Sequence, residues 1–199
     1  MDSADQMQVM PVTLRGRHIR LEPLSTDHAE ALAAVGLDPQ LWRWIPTAVR
    51  SVDDMRAYVA IALDERAKGM AMPFAVVDAS TDRVIGSTRY ANIDGVNRRL
   101  EIGWTWYAPA YQRTGANTEA KLLLLTHAFE TLGAIRVEFK TDALNDKSRA
   151  ALARIGATEE GTFRNHMITQ SGRVRDSVYF SILDREWPAV KARLQGLLR

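Results

Sequence analysis

The chain has 199 residues, enough for one domain with a sizeable apolar core, and a formal net charge of +2. That charge is too small to argue for a nucleic-acid partner. Without cysteine, a disulfide framework, a thiolate metal site and a cysteine nucleophile are excluded.

Met1 to Val9 is polar and lacks the apolar segment of a signal peptide, and no apolar run nears membrane-spanning length. Residues 1–10 read as a disordered lead-in, residues 11–199 as one domain, and the location as cytoplasmic. Leu14 to Leu21 alternates toward its end as a strand does. Pro23 and Ser25 open a helix over Thr26 to Val35, stopped by Leu37-Asp38-Pro39. Leu41-Trp42-Arg43-Trp44-Ile45-Pro46 then holds two tryptophans in a proline-bounded connection, where water contact is unfavourable. Two readings stand: the rings plug the core edge, or they wall a binding site. Ser51-Val52-Asp53-Asp54 starts a helix that ends at Lys68-Gly69. Strands over Pro73 to Asp78 and Val84 to Ile93 follow, then the hairpin signal Asp94-Gly95 and a returning strand, Val96 to Tyr107.

That strand breaks at Ala108-Pro109-Ala110, because proline removes a ladder donor. Tyr111 leads into Gln112-Arg113-Thr114-Gly115-Ala116-Asn117 and a helix running to Leu132. A strand, a glycine-bearing loop and a helix N-terminus together present free N–H groups to an anion, and Arg113 adds a positive charge. The spacing predicts a pyrophosphate cradle. Neither G-x-x-x-x-G-K-S/T nor G-x-G-x-x-G is present, so a nucleoside triphosphate or a dinucleotide is poorly supported.

Downstream, Ile135 to Lys140 alternates as a strand, and Asn145 caps a helix that Gly156 stops after Ile155. Ala157 to Phe163 reads as a strand; Met167 to Thr169 and Val174 to Leu183 form a hairpin about Gln170-Ser171-Gly172. Asp184 caps a final helix with the stripe Trp187, Val190, Leu194 and Leu197. The basic clusters, Arg98-Arg99 and Arg164, Arg173 and Arg175, read as a solvated face. His18, His28 and His127 fall in regular elements and read as structural, whereas His166, in a loop, is a candidate base. No two histidines have metal-ligand spacing, so no metal is expected.

Gln112 to Asn117 resembles the Q/R-x-x-G-x-G/A acyl-CoA loop of the GNAT N-acetyltransferases. Asn145-Asp146-Lys147-Ser148 and Ile155-Gly156-Ala157 resemble two further elements of that family. The chain is most similar to its Rim-type branch, which includes ribosomal-protein N-terminal acetyltransferases, and the likeness runs from Leu14 to the C-terminal helix. It departs at Asn117, where the family has glycine or alanine.

The resemblance implies an α/β (α+β) GNAT fold, a mixed, mostly antiparallel sheet flanked by helices, with a bulge near Thr105-Trp106 where strands splay. It implies acetyl-CoA as cosubstrate and direct transfer, in a ternary complex, to a primary amine: a protein N-terminus, a polyamine or another small amine. Gln112, Arg113, Thr114, Gly115, Ala116 and Asn117 would then hold the diphosphate, and Thr105, Trp106 and Tyr107 the pantetheine and thioester carbonyl. Asn145 and Ser148 would meet the thiol, with Ser148 as proton donor and Tyr179 as a second candidate acid. Glu101, on the opposite face from Leu100 and Ile102, is the candidate base, and Trp42 and Trp44 the acceptor wall. A larger acyl group such as succinyl, and a non-catalytic CoA-binding module, are the alternatives; a homodimer is compatible with either.

Overall fold

The computed structural model describes residues 6–199. One sheet of eight strands runs through it, in the order β1-β2-β3-β4-β5-β6-β8-β7. In chain order these are β1 (Leu14–Arg15), β2 (Ile19–Pro23), β3 (Met72–Asp78), β4 (Val84–Asp94), β5 (Arg99–Tyr107), β6 (Arg136–Asp142), β7 (Thr158–Ile168) and β8 (Val174–Leu183). All neighbours are antiparallel except β5 and β6. That parallel pair has three matched positions, Arg99 with Arg136, Leu100 with Val137 and Glu101 with Glu138. Beyond Glu101 the two strands part.

Helices cover both faces. On one face, α1 (His28–Gly36), the short α2 (Pro39–Trp42) and α3 (Val52–Ala67) bury Leu32, Trp42, Met55 and Tyr58 against Ala75 and Trp106. On the other, α4 (Ala116–Thr126), α5 (Asp146–Ile155) and α6 (Trp187–Leu197) enclose the main core around Phe74, Tyr90, Ile102, Leu124, Phe139 and Phe180. The alternation of β5 sorts its residues between these faces: Leu100 and Ile102 enter the main core and Glu101 does not. No helix among the described residues is long and apolar enough to cross a membrane.

Several boundaries differ from the sequence reading, each for a local reason. The lead-in falls outside the described residues only through residue 5; the Met7 N–H donates to the Gly95 carbonyl at 3.1 Å and its side chain joins the core. The strand expected over Leu14 to Leu21 is broken in two. Its turn wraps the Glu119 carboxylate of α4, which accepts from the N–H groups of Arg17, His18 and Ile19, each at 2.8 Å. Asp94, accepting from the Asn97 N–H, holds a turn that delays β5 to Arg99. Asp38 begins a new helix rather than only ending one, taking the Gln40 N–H at its N-cap. The strand after α5 runs on through Ile168, joining the segments read as separate, with its register shifted between Phe163 and Met167. After α4 the helix continues as a π-type turn, His127–Thr131, and Leu197 of the final stripe is exposed.

Glu119 therefore fixes the N-terminal hairpin to α4. Replacing it with glutamine sets an amide N–H₂ against backbone donors, and hydrogen bonds to a charged group contribute about 1.5–3 kcal/mol each. We expect Glu119→Gln to lower stability by about 2 kcal/mol and Tm by about 6 °C. An unchanged melting curve would show that the carboxylate does not hold the turn.

Candidate active site

Where β5 and β6 part, a cleft of about 700 Å³ opens through the sheet. One end is bounded by the loop from Tyr111 to Arg113, the first turns of α4 and the start of α5; the other by Arg43, Trp44, Met167 and Arg175. Two helices thus bring their N-termini, the positive ends of their dipoles, to the same opening.

The loop before α4 is tied at several points. The Tyr111 hydroxyl donates to Asp78 at 2.8 Å, and the Thr114 hydroxyl donates to the Tyr111 carbonyl at 2.8 Å while accepting from the Ala116 N–H. Gln112 Nε2 reaches the Tyr107 carbonyl at 3.4 Å. The left-handed residue is Arg113, at φ 61°, and not Gly115, which has helical angles. A Cβ at Gly115 would meet only Leu198, just past α6, at an ordinary 3.6 Å. Folding therefore leaves the position free, and a glycine here keeps the approach to the helix end open.

On β5, Ser87 pairs with Trp106 but Arg89 with Gly103. The extra residue makes a bulge at Trp104, whose φ is 48°, one step before the expected Thr105-Trp106. The Trp104 ring takes the Arg89 guanidinium at 5.0 Å and the Lys140 ammonium at 5.9 Å. Beyond the bulge, the Ala108 N–H bonds the Ile85 carbonyl on β4. The Tyr107 carbonyl and N–H then face away from β4, toward the cleft. Trp106 offers backbone only, since its ring is buried against Trp42 at 5.4 Å.

Across the gap, Asn145 caps α5, its Oδ1 accepting the Ser148 N–H at 3.1 Å, and both residues line the cleft. Arg154, in the last turn of α5, donates to the Thr118 hydroxyl at 3.1 Å, tying the end of that helix to the first turn of α4.

Glu101 sits at the base of the parting strands and is 2% exposed. Its Oε2 accepts from Asn92 Nδ2 at 2.8 Å and lies 3.6 Å from Lys140 Nζ. Its Oε1 folds back over Gly103, where any Cβ would come within 2.9 Å. Burial pushes its pKa upward, with Lys140 and Asn92 pulling the other way. It pairs with Lys140 of β6, rather than with Arg98 or Arg99. Tyr179 of β8 stacks against Phe163 and His166, and burial raises its pKa. Burial, then the charges of Lys140 and Arg175, lower that of His166, which lies within β7 and not in a loop.

The two tryptophans separate. Trp42, 2% exposed, packs on Tyr58 and Trp106 and donates its indole N–H to the Gly36 carbonyl at 2.7 Å, so it plugs the core and does not reach the cleft. Trp44 lines the cleft with Arg43 and Ile45. The basic residues read as one solvated face also separate, since Arg175 is 4% exposed.

One group in the cleft escaped the sequence reading. Lys121, one turn beyond Asn117 on α4, is buried; its ammonium lies 3.3 Å from Thr105 Oγ1 and 5.6 Å above the Phe139 ring. No carboxylate among the described residues lies within salt-bridge range of it, and burial lowers its pKa to about 7. Asn117, the departure from the loop pattern, keeps Oδ1 buried with no partner among the described residues. The only signals were a lone lysine beside an apolar run and its i, i+4 spacing from Asn117.

Splayed strands and a bulged edge are the geometry that the resemblance implied, and the structure adds the parallel pairing and a second helix N-terminus. The sequence matches the acetyltransferase (GNAT) domain over residues 18–158. The chain belongs to the GNAT acetyltransferases. This GNAT enzyme, an acyltransferase, superposes on a GCN5-related N-acetyltransferase from Brucella melitensis with a TM-score of 0.89 and 33% identity, over 98% of this chain and 89% of that one. Mycobacterium smegmatis RimJ, solved in complex with CoA-disulfide, gives a TM-score of 0.82 and 25% identity over 94% and 95% of the two chains. Bacillus subtilis (strain 168) YdaF, provisionally named a ribosomal N-acetyltransferase, is 43% identical over 100 residues, 50% of this chain and 54% of that protein, so the match spans about half of that relative. Two of these relatives carry ribosomal or Rim names, and they are what the chain's likeness to the Rim-type branch rests on. Its family draws the acetyl group from acetyl-CoA.

The buried lysine makes a pH test. Its folded pKa of about 7 lies below the unfolded value of about 10.4, so between these the unfolded state binds more protons and stability rises with pH. We expect the Tm of the natural protein to gain on that of Lys121→Met from pH 7 to pH 9. Parallel melting curves across that range would mean that Lys121 is not held unpaired.

Proposed function

We propose that this chain is an acetyl-CoA-dependent N-acetyltransferase whose acceptor is the terminal amine of a protein. The observation that carries the reading is the single cleft passing from two helix N-termini to a buried carboxylate. The relatives bearing ribosomal and Rim names support a protein N-terminus over a polyamine.

In this reading the loop from Gln112 to Asn117 takes the CoA diphosphate. Arg113 supplies charge there, and the first-turn N–H groups of α4 supply donors. The outward N–H and carbonyl of Tyr107 pair with the pantetheine arm beside Thr105 and Trp106, and Asn117 Oδ1 accepts an amide N–H of that arm. Glu101 takes the proton from the acceptor amine, directly or through one water; its raised pKa keeps it a better base than an exposed glutamate. The amine nitrogen bonds to the thioester carbonyl carbon, the C–S bond breaks, and the departing thiolate needs a proton. Ser148 stands at that side, but a hydroxyl is a weak acid. Lys121, poised near pH 7, is the better donor, and as an ammonium it also stabilises the thiolate charge. Amine and thioester meet in one cleft, so transfer is direct and the complex ternary.

Two substitutions separate donor holding from chemistry. Gly115→Asp puts a carboxylate at the helix end where the fold leaves room for a Cβ, and we expect acetyl-CoA affinity to fall at least about tenfold with Tm unchanged. Glu101→Gln keeps the shape; kcat should fall about a hundredfold and the acidic limb of the pH–rate profile should vanish, with acetyl-CoA Kd near its original value. The assay is CoA thiol release with N-terminal peptides. Retained affinity in the first variant, or retained kcat in the second, would overturn the corresponding assignment.

A further inference from the structure

At the end of the cleft remote from the α4 loop, cations outnumber carboxylates. Arg43, Lys140 and Arg175 line it against Glu101, and Asp142, outside the lining, pairs with Arg173 and Arg175. Asp142 is buried and is shared: Arg173 bonds it closely, and Arg175 Nε stands 3.8 Å from it. One carboxylate therefore serves two guanidinium groups. Arg175 is otherwise held by a single bond at 3.3 Å to the Trp44 carbonyl, and its Nε is buried with no hydrogen-bond partner among the described residues. Arg175 thus lines the cleft with a buried guanidinium that is only loosely matched, by a shared carboxylate at 3.8 Å and one hydrogen bond at 3.3 Å. Arg43 lies over the Trp44 ring at 4.7 Å, with no carboxylate among the described residues in salt-bridge range, and Arg173 lies 5.9 Å from the same ring. Arg175 is close enough to Glu101 to feel its charge.

We propose that Arg175, with Arg43 and Arg173 at the rim, forms a subsite for a carboxylate carried next to the acceptor's primary amine. This rests on the N-acetyltransferase reading and narrows its acceptor. The site suits a peptide N-terminus with an acidic residue just after it, or a free amino acid with its own α-carboxylate. The same excess of positive charge does a second thing: it disfavours the ammonium form of the incoming amine and so eases its deprotonation by Glu101. A cationic amine without an attached anion would be repelled. A polyamine, with several positive charges, is the worst fit, since like charges brought together in a partly desolvated site oppose binding strongly. Arginine's planar fork suits a carboxylate better than lysine would.

The test is a set of acceptors at low ionic strength, followed by CoA release: three otherwise identical peptides with Asp, Ala or Lys at the second position, free amino acids, and spermidine. The expected order of kcat/KM is Asp, then Ala, then Lys, with at least about a tenfold span that shrinks as salt is added; spermidine should be the poorest. Fast free amino acids with slow peptides would identify the α-carboxylate as the source, and the reverse would identify the acidic second residue; either supports the subsite. Arg43→Gln and Arg173→Gln, both toward the surface, should compress the Asp-to-Lys ratio chiefly through KM. Arg175→Lys should retain part of the ratio and Arg175→Gln lose it, with Tm recorded for each. A merely structural arginine would lower Tm or activity and leave the ratio in place. Equal rates on the Asp and Lys peptides, or spermidine as the best acceptor, would overturn the subsite while leaving N-acetyl transfer standing. No CoA release with any acceptor, despite bound acetyl-CoA, would overturn both.

Discussion

The site depends on a short parallel pairing. Strands β5 and β6 match at only three positions before they diverge. A parallel pair cannot be joined by a tight turn, so the chain must cross over through a helix, and α4 is that crossover. The helix starts where β5 ends, which puts its N-terminus beside the gap without further arrangement. The same logic places α5 after β6. The bulge at Trp104 shifts the pairing of β5 with β4 by one residue, so that past it the Tyr107 N–H and carbonyl lie on the side opposite β4. A single constraint, the loss of pairing after Glu101, thus creates a hole through the sheet, a free strand edge and two helix ends aimed at it.

Electrostatics divide that hole into two halves. Near α4 the charge is fixed but sparing: helix N–H groups, Arg113, and a lysine that burial brings close to neutrality. At the far end charge is denser and incompletely matched, with Asp142 shared by two arginines. Glu101 lies between, its carboxylate raised by burial and restrained by Asn92 and Lys140. A cleft whose central carboxylate is buried and whose ends are charged lets each interaction count for more than it would in water.

The parts written in local chemistry were legible in the sequence. Proline after β5, the capping Asn145, the stop at Gly156 and the alternation that sends Leu100 and Ile102 inward all operate over a few residues. So did the loop before α4, although its left-handed position is Arg113 and Gly115 is helical. What sequence could not supply depends on contacts between distant segments. Trp42 and Trp44 look alike in one proline-bounded stretch, and only the position of Trp106, on a strand reached later, decides that Trp42 is the plug. Glu119 reads as an ordinary first-turn carboxylate until the hairpin at Arg17 to Ile19 folds onto it. Lys121 looks like a polar position on an amphipathic helix, and helical periodicity cannot say that this position faces a gap between strands. Arg175 was taken with its basic neighbours as solvated, although the period of β8 places it with the buried Ser177.

Backbone amide hydrogen exchange, recorded with and without saturating acetyl-CoA, tests the central claim most directly. If the parted strands are the donor site, the Tyr107 amide and those of the first turn of α4 slow together when the ligand is added, while the paired amides of β4 keep their rates. Protection confined to the helix end, with Tyr107 unchanged, would contradict the account, since the β5 edge would then take no part in holding the donor.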